Sequence, residues 1–269
     1  MEVRRVLLKD YTTLAVGGPA ELWIVEDEDD LLRATEAPYR VLGNGSNLLV
    51  SDAGVRERVI KLGGRFLQGE LSGWVGAGSL LPLWVQTAAK EGLSGLEPLL
   101  GIPASVGGAV KMNAGTRFGE IKDALAEVEI FHQGELKRLP PEALGLGYRK
   151  SALPPGAIVT RVRFDLRRRP HAEIAERMAQ VDAARKRQPK RKSAGCAFKN
   201  PPGDAAGRLI DQAGFKGFQV GRAMVSPEHA NFVVNLGGAT AREVWNLIKR
   251  IQAELGLELE WEVWGEFEP

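Results

Sequence analysis

The sequence is poor in the residues that build metal centres and covalent staples. It holds one cysteine, Cys196, in 269 residues, so no internal disulfide can form and no C-x-x-C pair exists. This is the cysteine usage of a reducing compartment. The three histidines, His132, His171 and His229, are isolated from one another, which gives no metal-ligand spacing and little support for a histidine-based triad. No apolar run approaches the roughly 18 residues of a membrane span. The first twenty residues, "MEVRRVLLKDYTTLAVGGPA", lack the apolar core of a signal peptide. A cytoplasmic protein with no membrane partner is expected. Charge of one sign is also missing: 36 Lys and Arg stand against 34 Asp and Glu, a net charge of +2, too mild to imply nucleic acid. No G-x-x-x-x-G-K-[ST] occurs, and "GNGSNL" lacks the third glycine of a dinucleotide fingerprint. Internal repeats and low-complexity tracts are absent.

Glycine, by contrast, is abundant and clustered. Three glycine-rich stretches, residues 41–54 ("VLGNGSNLLVSDAG"), 73–92 ("GWVGAGSLLPLWVQTAAKEG") and 101–115 ("GIPASVGGAVKMNAG"), each lie beside an expected strand or helix start. Glycine lets main-chain N–H groups approach a ligand, and successive inward N–H groups suit phosphates. One such loop is a common turn; three point to a nucleotide-like cofactor. The second stretch reads as strand, turn and helix, with Ser79 as N-cap and Pro82 in the first turn.

Further along, "LAEVEIFHQGELKRL" (125–139) reads as a hairpin turning at Gln133-Gly134, and "AIVTRVRFDLRRR" (157–169) as a half-buried strand. A charged amphipathic helix follows from residue 171, and a domain boundary is expected near residues 166–169. The last third has its own α+β pattern: a short helix closed by Gly214, strands in "FQVGRAMVS" and "NFVVNL", and a helix opened by a Thr240/Glu243 capping box with Leu247, Ile248, Ile251 and Leu255 on one face. "LELEWEVWGE" (257–266) reads as a closing strand on which Glu258, Glu260 and Glu262 share a face; the pattern selects none of them. "ARKRQPKRK" (184–192) fits a solvated helix end, as charge runs usually do, with a phosphate-binding wall or a nucleic-acid patch as the alternatives. Arg149 in "YRKS" fits either a carboxylate grip or a surface position.

Seven stretches in order resemble the UDP-N-acetylenolpyruvoylglucosamine reductase family: "TTLAVGGPA" (12–20), "GNGSNLL" (43–49), residues 101–115, "YRKS" (148–151), "AGCAFKNP" (194–201), "VSPEHANFVVN" (225–235) and "LEWEV" (259–263). The resemblance covers nearly the whole chain. It implies an α+β fold: a two-subdomain FAD-binding fold of the vanillyl-alcohol oxidase type (residues 1–60 and 61–167), then an α+β substrate domain (168–269). It implies non-covalent FAD, NADPH as hydride donor and a UDP-N-acetylglucosamine enolpyruvate substrate, with no nucleic-acid partner and a monomer or weak oligomer. It assigns the FAD cradle to Gly43, Asn44, Gly45, Ser46 and Asn47, to Gly107, Gly108 and Ala109, and to Asn113, Ala114 and Gly115. Tyr148, Arg187, Lys199 and Asn200 fall to the substrate.

The same resemblance gives Cys196, Arg149 and Glu262 the chemistry. Charge that builds on the substrate carboxylate as an enolate must be met where it develops; Arg149 and Glu262 match that task, and a carboxyl beside a carboxylate must carry or share a proton. The carbon next to the carboxylate then needs a proton donor. The family commonly has serine at the position of Cys196. A thiol, with an ordinary pKa of about 8.5, is a far stronger acid than an alcohol, at the cost of sensitivity to oxidants. Between Arg163 and Gln188 there is no room for the insertion whose tyrosine closes over substrate in some members, which implies the shorter, second type. A flavin-dependent oxidase on the same fold is the alternative; no histidine lies in the three glycine-rich stretches to carry a covalent flavin.

Overall fold

The computed structural model describes residues 1–267. It divides into two compact units, each assembled from three separate stretches. The first takes residues 1–3, 22–44 and 58–186; the second takes residues 4–21, 45–57 and the described residues from Arg187 on.

In the first unit, Leu22–Val25, the end of a longer strand, pairs in parallel with Arg58–Leu62, which pairs in parallel with Tyr39–Val41 on its other side. Parallel neighbours need a crossover. Helix α1 (Glu28–Ala34) lies in the connection between the outer two, its first turn capped by Asp27, whose carboxylate accepts from the Asp30 amide at 2.9 Å. A four-stranded sheet runs in the order Glu135–Leu139, Leu125–His132, Ile158–Phe164, Val75–Gly76. Its hairpin turns at Gln133 and Gly134, both at positive φ (53° and 82°), the geometry that matches strand twist in a two-residue connection. The strand of residues 158–164 sits inside the sheet, and its apolar positions are buried.

Helices α2 (Leu81–Lys90), α3 (Val106–Lys111) and α4 (His171–Arg185) complete this unit. One apolar core joins Phe66, Val75, Leu81, Val110, Val128 and Val162. Two expectations need correcting. Ser79 does not cap α2: its hydroxyl donates to the Gly76 carbonyl and accepts from Trp84 Nε1 at 2.6 Å, and Leu80 holds the cap position with no side-chain bond. Residues 101–115 are not a plain loop either, because Ser105 caps α3 inside them, its hydroxyl accepting from the Gly108 amide at 3.2 Å. Glycine is a weak helix former, and Val106, Ala109 and Val110 offset this by burial in the core.

The second unit carries an antiparallel sheet in the order Lys192–Cys196, Phe232–Asn235, Ala223–Val225, Gln219–Val220. Helix α5 (Ala206–Gln212) and helix α6 (Ala241–Leu255) pack on it. The capping box of α6 forms as expected, with Thr240 and Glu243 each bonded to the other's amide, and Leu247, Ile248 and Ile251 are fully buried. Leu14, Val16 and Leu49, from the early stretches of this unit, enter the same core as Phe198, Val233 and Trp261.

The expected ten-residue closing strand is shorter. Only Glu262–Trp264 is a strand, parallel to Leu48–Val50. The residues before it pair elsewhere: Leu259 bridges Phe198, and the Glu258 carbonyl accepts from the Lys199 amide at 2.9 Å. Two different partners divide the segment, so Glu258 and Glu260 do not stand on one strand face with Glu262, and Trp264 rather than Val263 is buried at its end.

Candidate functional site

In the first unit the three glycine-rich stretches adjoin. Residues 77–81 are laced to 104–107 by Gly107 N to Ala77 O (2.8 Å), Val106 N to Ser79 O (2.9 Å) and Leu81 N to Ala104 O (2.9 Å). Gly43 and Asn44 lie on the same ground: Asn44 Nδ2 donates to the Pro103 carbonyl at 2.6 Å, and a Cβ on Gly43 would stand 2.5 Å from Ser105 Oγ and 3.9 Å from the Gly108 Cα. A side chain at Gly43 would displace the Ser105 hydroxyl that caps α3. A Cβ on Gly108 would meet nothing within 4 Å except Ser105 Oγ, so bare backbone there faces open space. Lys61, half-buried, donates from Nζ to the Gly43 carbonyl at 3.0 Å, and burial pushes its ammonium below the ordinary lysine range. Sequence reasoning missed Lys61; a lysine inside an apolar strand, "RVIKL", was the available signal.

Asn113 and Arg149 belong to a second arrangement in this unit. Asn113 is fully buried at φ +43°, a left-handed conformation asparagine tolerates. Its Nδ2 donates to Glu120 Oε2 (2.8 Å) and to the Gly147 carbonyl (3.0 Å), and its Oδ1 accepts from the Lys122 amide (3.3 Å). Arg149 Nη2 donates to the Gly115 carbonyl at 2.9 Å, and Nη1 lies 4.0 Å from Glu120 Oε1. Burial opposes ionisation of Glu120, but hydrogen bonds from Lys122 and Asn113 and the charges of Lys122 and Arg149 outweigh it and hold its pKa below the ordinary value. Tyr148 is exposed, its ring centroid 5.0 Å from the Arg149 guanidinium carbon. Ala109 is fully buried in α3, and Ala114 is half-buried beside the core.

The second unit gathers the other candidates. Gly45 adopts φ +62°, with the Tyr11 carbonyl 2.2 Å from where its Cβ would lie, so glycine is required there. Ser46 and Asn47 follow, both half-buried. Asn47 ties the early loop to the end of the chain: its Nδ2 donates to the Glu260 carbonyl (3.2 Å) and its carbonyl accepts from the Glu262 amide (3.0 Å). Cys196 ends its strand opposite Phe232 and is half-buried. The next residue, Ala197, accepts from the Glu260 amide at 2.8 Å, so the Cys196 and Glu262 segments run side by side. Trp264 Nε1 donates to Glu262 Oε2 at 3.3 Å.

Asn231 fixes the backbone just past the cysteine. Its side chain accepts from the Phe198 amide (2.9 Å) and donates to the Phe198 carbonyl (2.8 Å), and its own carbonyl accepts from the Ala197 amide (2.8 Å). Its signal in the sequence was the "HANF" of a motif otherwise read through His229. That histidine is tucked edge-on to Phe232 at 4.8 Å, and burial lowers its pKa. Lys199 pairs with Glu258 at 2.6 Å, and Asn200 Oδ1 accepts from the first amide of α5 at 3.0 Å. Arg187 is exposed, as are Lys190, Arg191 and Lys192.

Bare glycine backbone backed by a capped helix and a half-buried lysine suits a dinucleotide approached through the main chain, and residues 25–139 match the family described as "FAD binding domain". The class is therefore that of FAD-binding flavoproteins. Residues 188–264 match "UDP-N-acetylenolpyruvoylglucosamine reductase, C-terminal domain". The chain is 71% identical over 264 residues to a UDP-N-acetylenolpyruvoylglucosamine reductase of Thermus thermophilus, covering 98% of this chain and all of the relative. It is 50% identical to that of Deinococcus radiodurans, covering 98% of this chain and 96% of the relative. The crystal structure of the reductase from Thermus caldophilus superposes with a TM-score of 0.97 at 70% identity, over 98% of this chain and all of that one. The chain belongs to the UDP-N-acetylenolpyruvoylglucosamine reductase family.

Proposed function

We propose that this protein reduces UDP-N-acetylglucosamine enolpyruvate to UDP-N-acetylmuramate with NADPH, in the supply of peptidoglycan precursors. FAD, when bound, would supply hydride chemistry, relaying reducing equivalents from NADPH to the enolpyruvyl group. The chain's own residues do the rest. Gly43, Gly45, Gly107, Gly108 and their neighbours offer main-chain groups to the cofactor. Arg149 and Glu262 stabilise the enolate on the substrate carboxylate. Cys196 gives its Sγ proton to the carbon next to that carboxylate. Lys199, Asn200, Tyr148 and Arg187 serve the UDP-sugar. On this reading residues 1–60 and 61–167 hold FAD and 168–269 the substrate, and the protein works in the cytoplasm as a monomer or weak oligomer. Among the described residues, no helix is long and apolar enough to cross a membrane.

The observation that carries the reading is the 71% identity to a reductase over 98% of the chain, spanning both matched families. The side-by-side course of the Cys196 and Glu262 segments supports the roles given to those two residues. The test is a visible spectrum of the purified protein, then anaerobic NADPH, then substrate. Flavin absorbance should bleach and return, with UDP-N-acetylmuramate detected by mass. A colourless protein, or a flavin that NADPH reduces and only oxygen restores with peroxide formed, would defeat it.

A further inference from the structure

Arg149 is held in an uncommon backbone conformation. Its φ is +53°, unusual for a bulky residue, within a tight turn closed by Gly147 N to Lys150 O (3.1 Å) and Lys150 N to Gly147 O (3.2 Å). Strain of this kind persists only when surroundings over-determine it, and here they do. Gly115–Thr116 pairs with Gly119–Glu120 in a two-rung ladder with Gly115 opposite Glu120. That small hairpin presents two acceptors to one guanidinium: the Gly115 carbonyl at 2.9 Å from Nη2 and the Glu120 carboxylate at 4.0 Å from Nη1.

Asn113 joins the hairpin to the turn. One of its amide hydrogens goes to Glu120 and the other to Gly147, the residue two before Arg149, while its oxygen takes the Lys122 amide. The side chain is fully buried. Both donors of the amide and its oxygen are engaged inside the protein, so this side chain ties the hairpin to the Arg149 turn.

We propose that Glu120, fixed by Asn113, is a positioning residue that orients the Arg149 guanidinium before substrate arrives. The proposal rests on the role given to Arg149 above. A carboxylate 4.0 Å away orients the cation without gripping it bidentately. A charge aimed in advance needs no reorganisation when the enolate forms.

The experiment separates the two half-reactions of the flavin-loaded enzyme by stopped flow. Glu120→Gln keeps the shape of the side chain and an oxygen for Asn113 but removes the charge facing Arg149. Bleaching by NADPH should stay within about twofold of wild type, while reoxidation by UDP-N-acetylglucosamine enolpyruvate slows by about 10- to 100-fold. The loss should fall on kcat more than on KM, with melting temperature lowered by only a few degrees, since the Lys122 pair and the Asp123 amide bond to Glu120 weaken as well. In an Arg149→Ala background, Glu120→Gln should change reoxidation less than about twofold, because the two act as a unit. Guanidinium ion added to Arg149→Ala should restore more activity than added to the double variant. Wild-type reoxidation in Glu120→Gln, or a full further loss in the Arg149→Ala background, would overturn the positioning role and leave Arg149's role standing. Wild-type reoxidation in Arg149→Ala alone would overturn the reading beneath both.

Discussion

Cys196 is the residue on which the proposed chemistry turns. It sits half-buried at a strand end, with the next residue bonded to Glu260 and the one after clamped by Asn231. Cys196→Ala should let NADPH bleach the flavin at the wild-type rate and abolish its return on adding substrate, read by absorbance in a stopped-flow cell. Cys196→Ser should keep measurable turnover and resist peroxide, whereas the wild-type sulfur oxidises toward sulfenic and sulfinic acid and loses activity with exposure. Glu262→Gln should lose turnover by about 100-fold or more while retaining FAD, a loss on the scale of removing one group that meets developing charge. The candidates were legible as residue types in motifs. Their local company was not: the Glu120 that faces Arg149 and the Asn231 that clamps Phe198 are ordinary polar residues in the sequence, and only packing gives them partners.

Among elements, the sheet of residues 125–164 tests how a buried charge supports a fold. Glu129, whose side chain is 3% exposed, accepts from Thr160 and from Arg161 Nε and Nη2 at 2.9 and 2.6 Å, with Arg138 3.7 Å away. Burial opposes its ionisation, yet the bonds from Arg161 and Thr160 hold its pKa below the ordinary 4.5. A depressed carboxylate stabilises the fold above the unfolded pKa, and that contribution is lost as pH falls through the folded value. Arg161→Ala should cost about 3 kcal/mol near pH 7 by leaving the charge poorly compensated. The deficit should begin to narrow in urea melts below about pH 4.5, where the unfolded carboxyl takes up its proton, and keep narrowing as pH falls through the lower folded value. A deficit equal at both pH values would contradict this account.

Helix α6 depends on an element distant in sequence. Asp52 accepts from the Ala241 and Arg242 amides at 2.8 and 3.0 Å, adding a second cap to that of Thr240. Asp52→Ala should cost about 2 kcal/mol, by loss of two bonds to a charged acceptor, as a lower urea midpoint at unchanged slope. The Thr240/Glu243 box was readable because its residues are three apart. The Asp52 cap was not, because 189 positions separate it from Ala241.

At the scale of the molecule, the second unit is not a contiguous piece of chain. Its core takes Leu14, Val16 and Leu49, and its parallel pair takes Leu48–Val50, from stretches before residue 58. A fragment beginning at Arg187 should therefore lack cooperative thermal unfolding and protected amides, which circular dichroism and hydrogen exchange would measure. Helix α4, placed by the sequence after an expected boundary near residues 166–169, packs in the first unit, where Arg177 reaches Ser94 at 3.2 Å and Arg185 reaches the Gly101 carbonyl at 2.7 Å. A change of texture along a chain marks where polarity shifts; it does not say which core a helix will join.

The sequence by itself determined the local periods: the hairpin at Gln133-Gly134, the box that starts α6, and the glycines where backbone must come close. It also determined the family, because seven ordered stretches carry that information without coordinates. Tertiary structure alone decided which stretches share a core, where the closing strand divides between two partners, and which polar side chains stand beside Arg149 and Cys196. The physical reason is range. Propensity, capping and alternation act over a few residues, whereas burial and hydrogen-bond satisfaction depend on contacts between positions that only folding brings together.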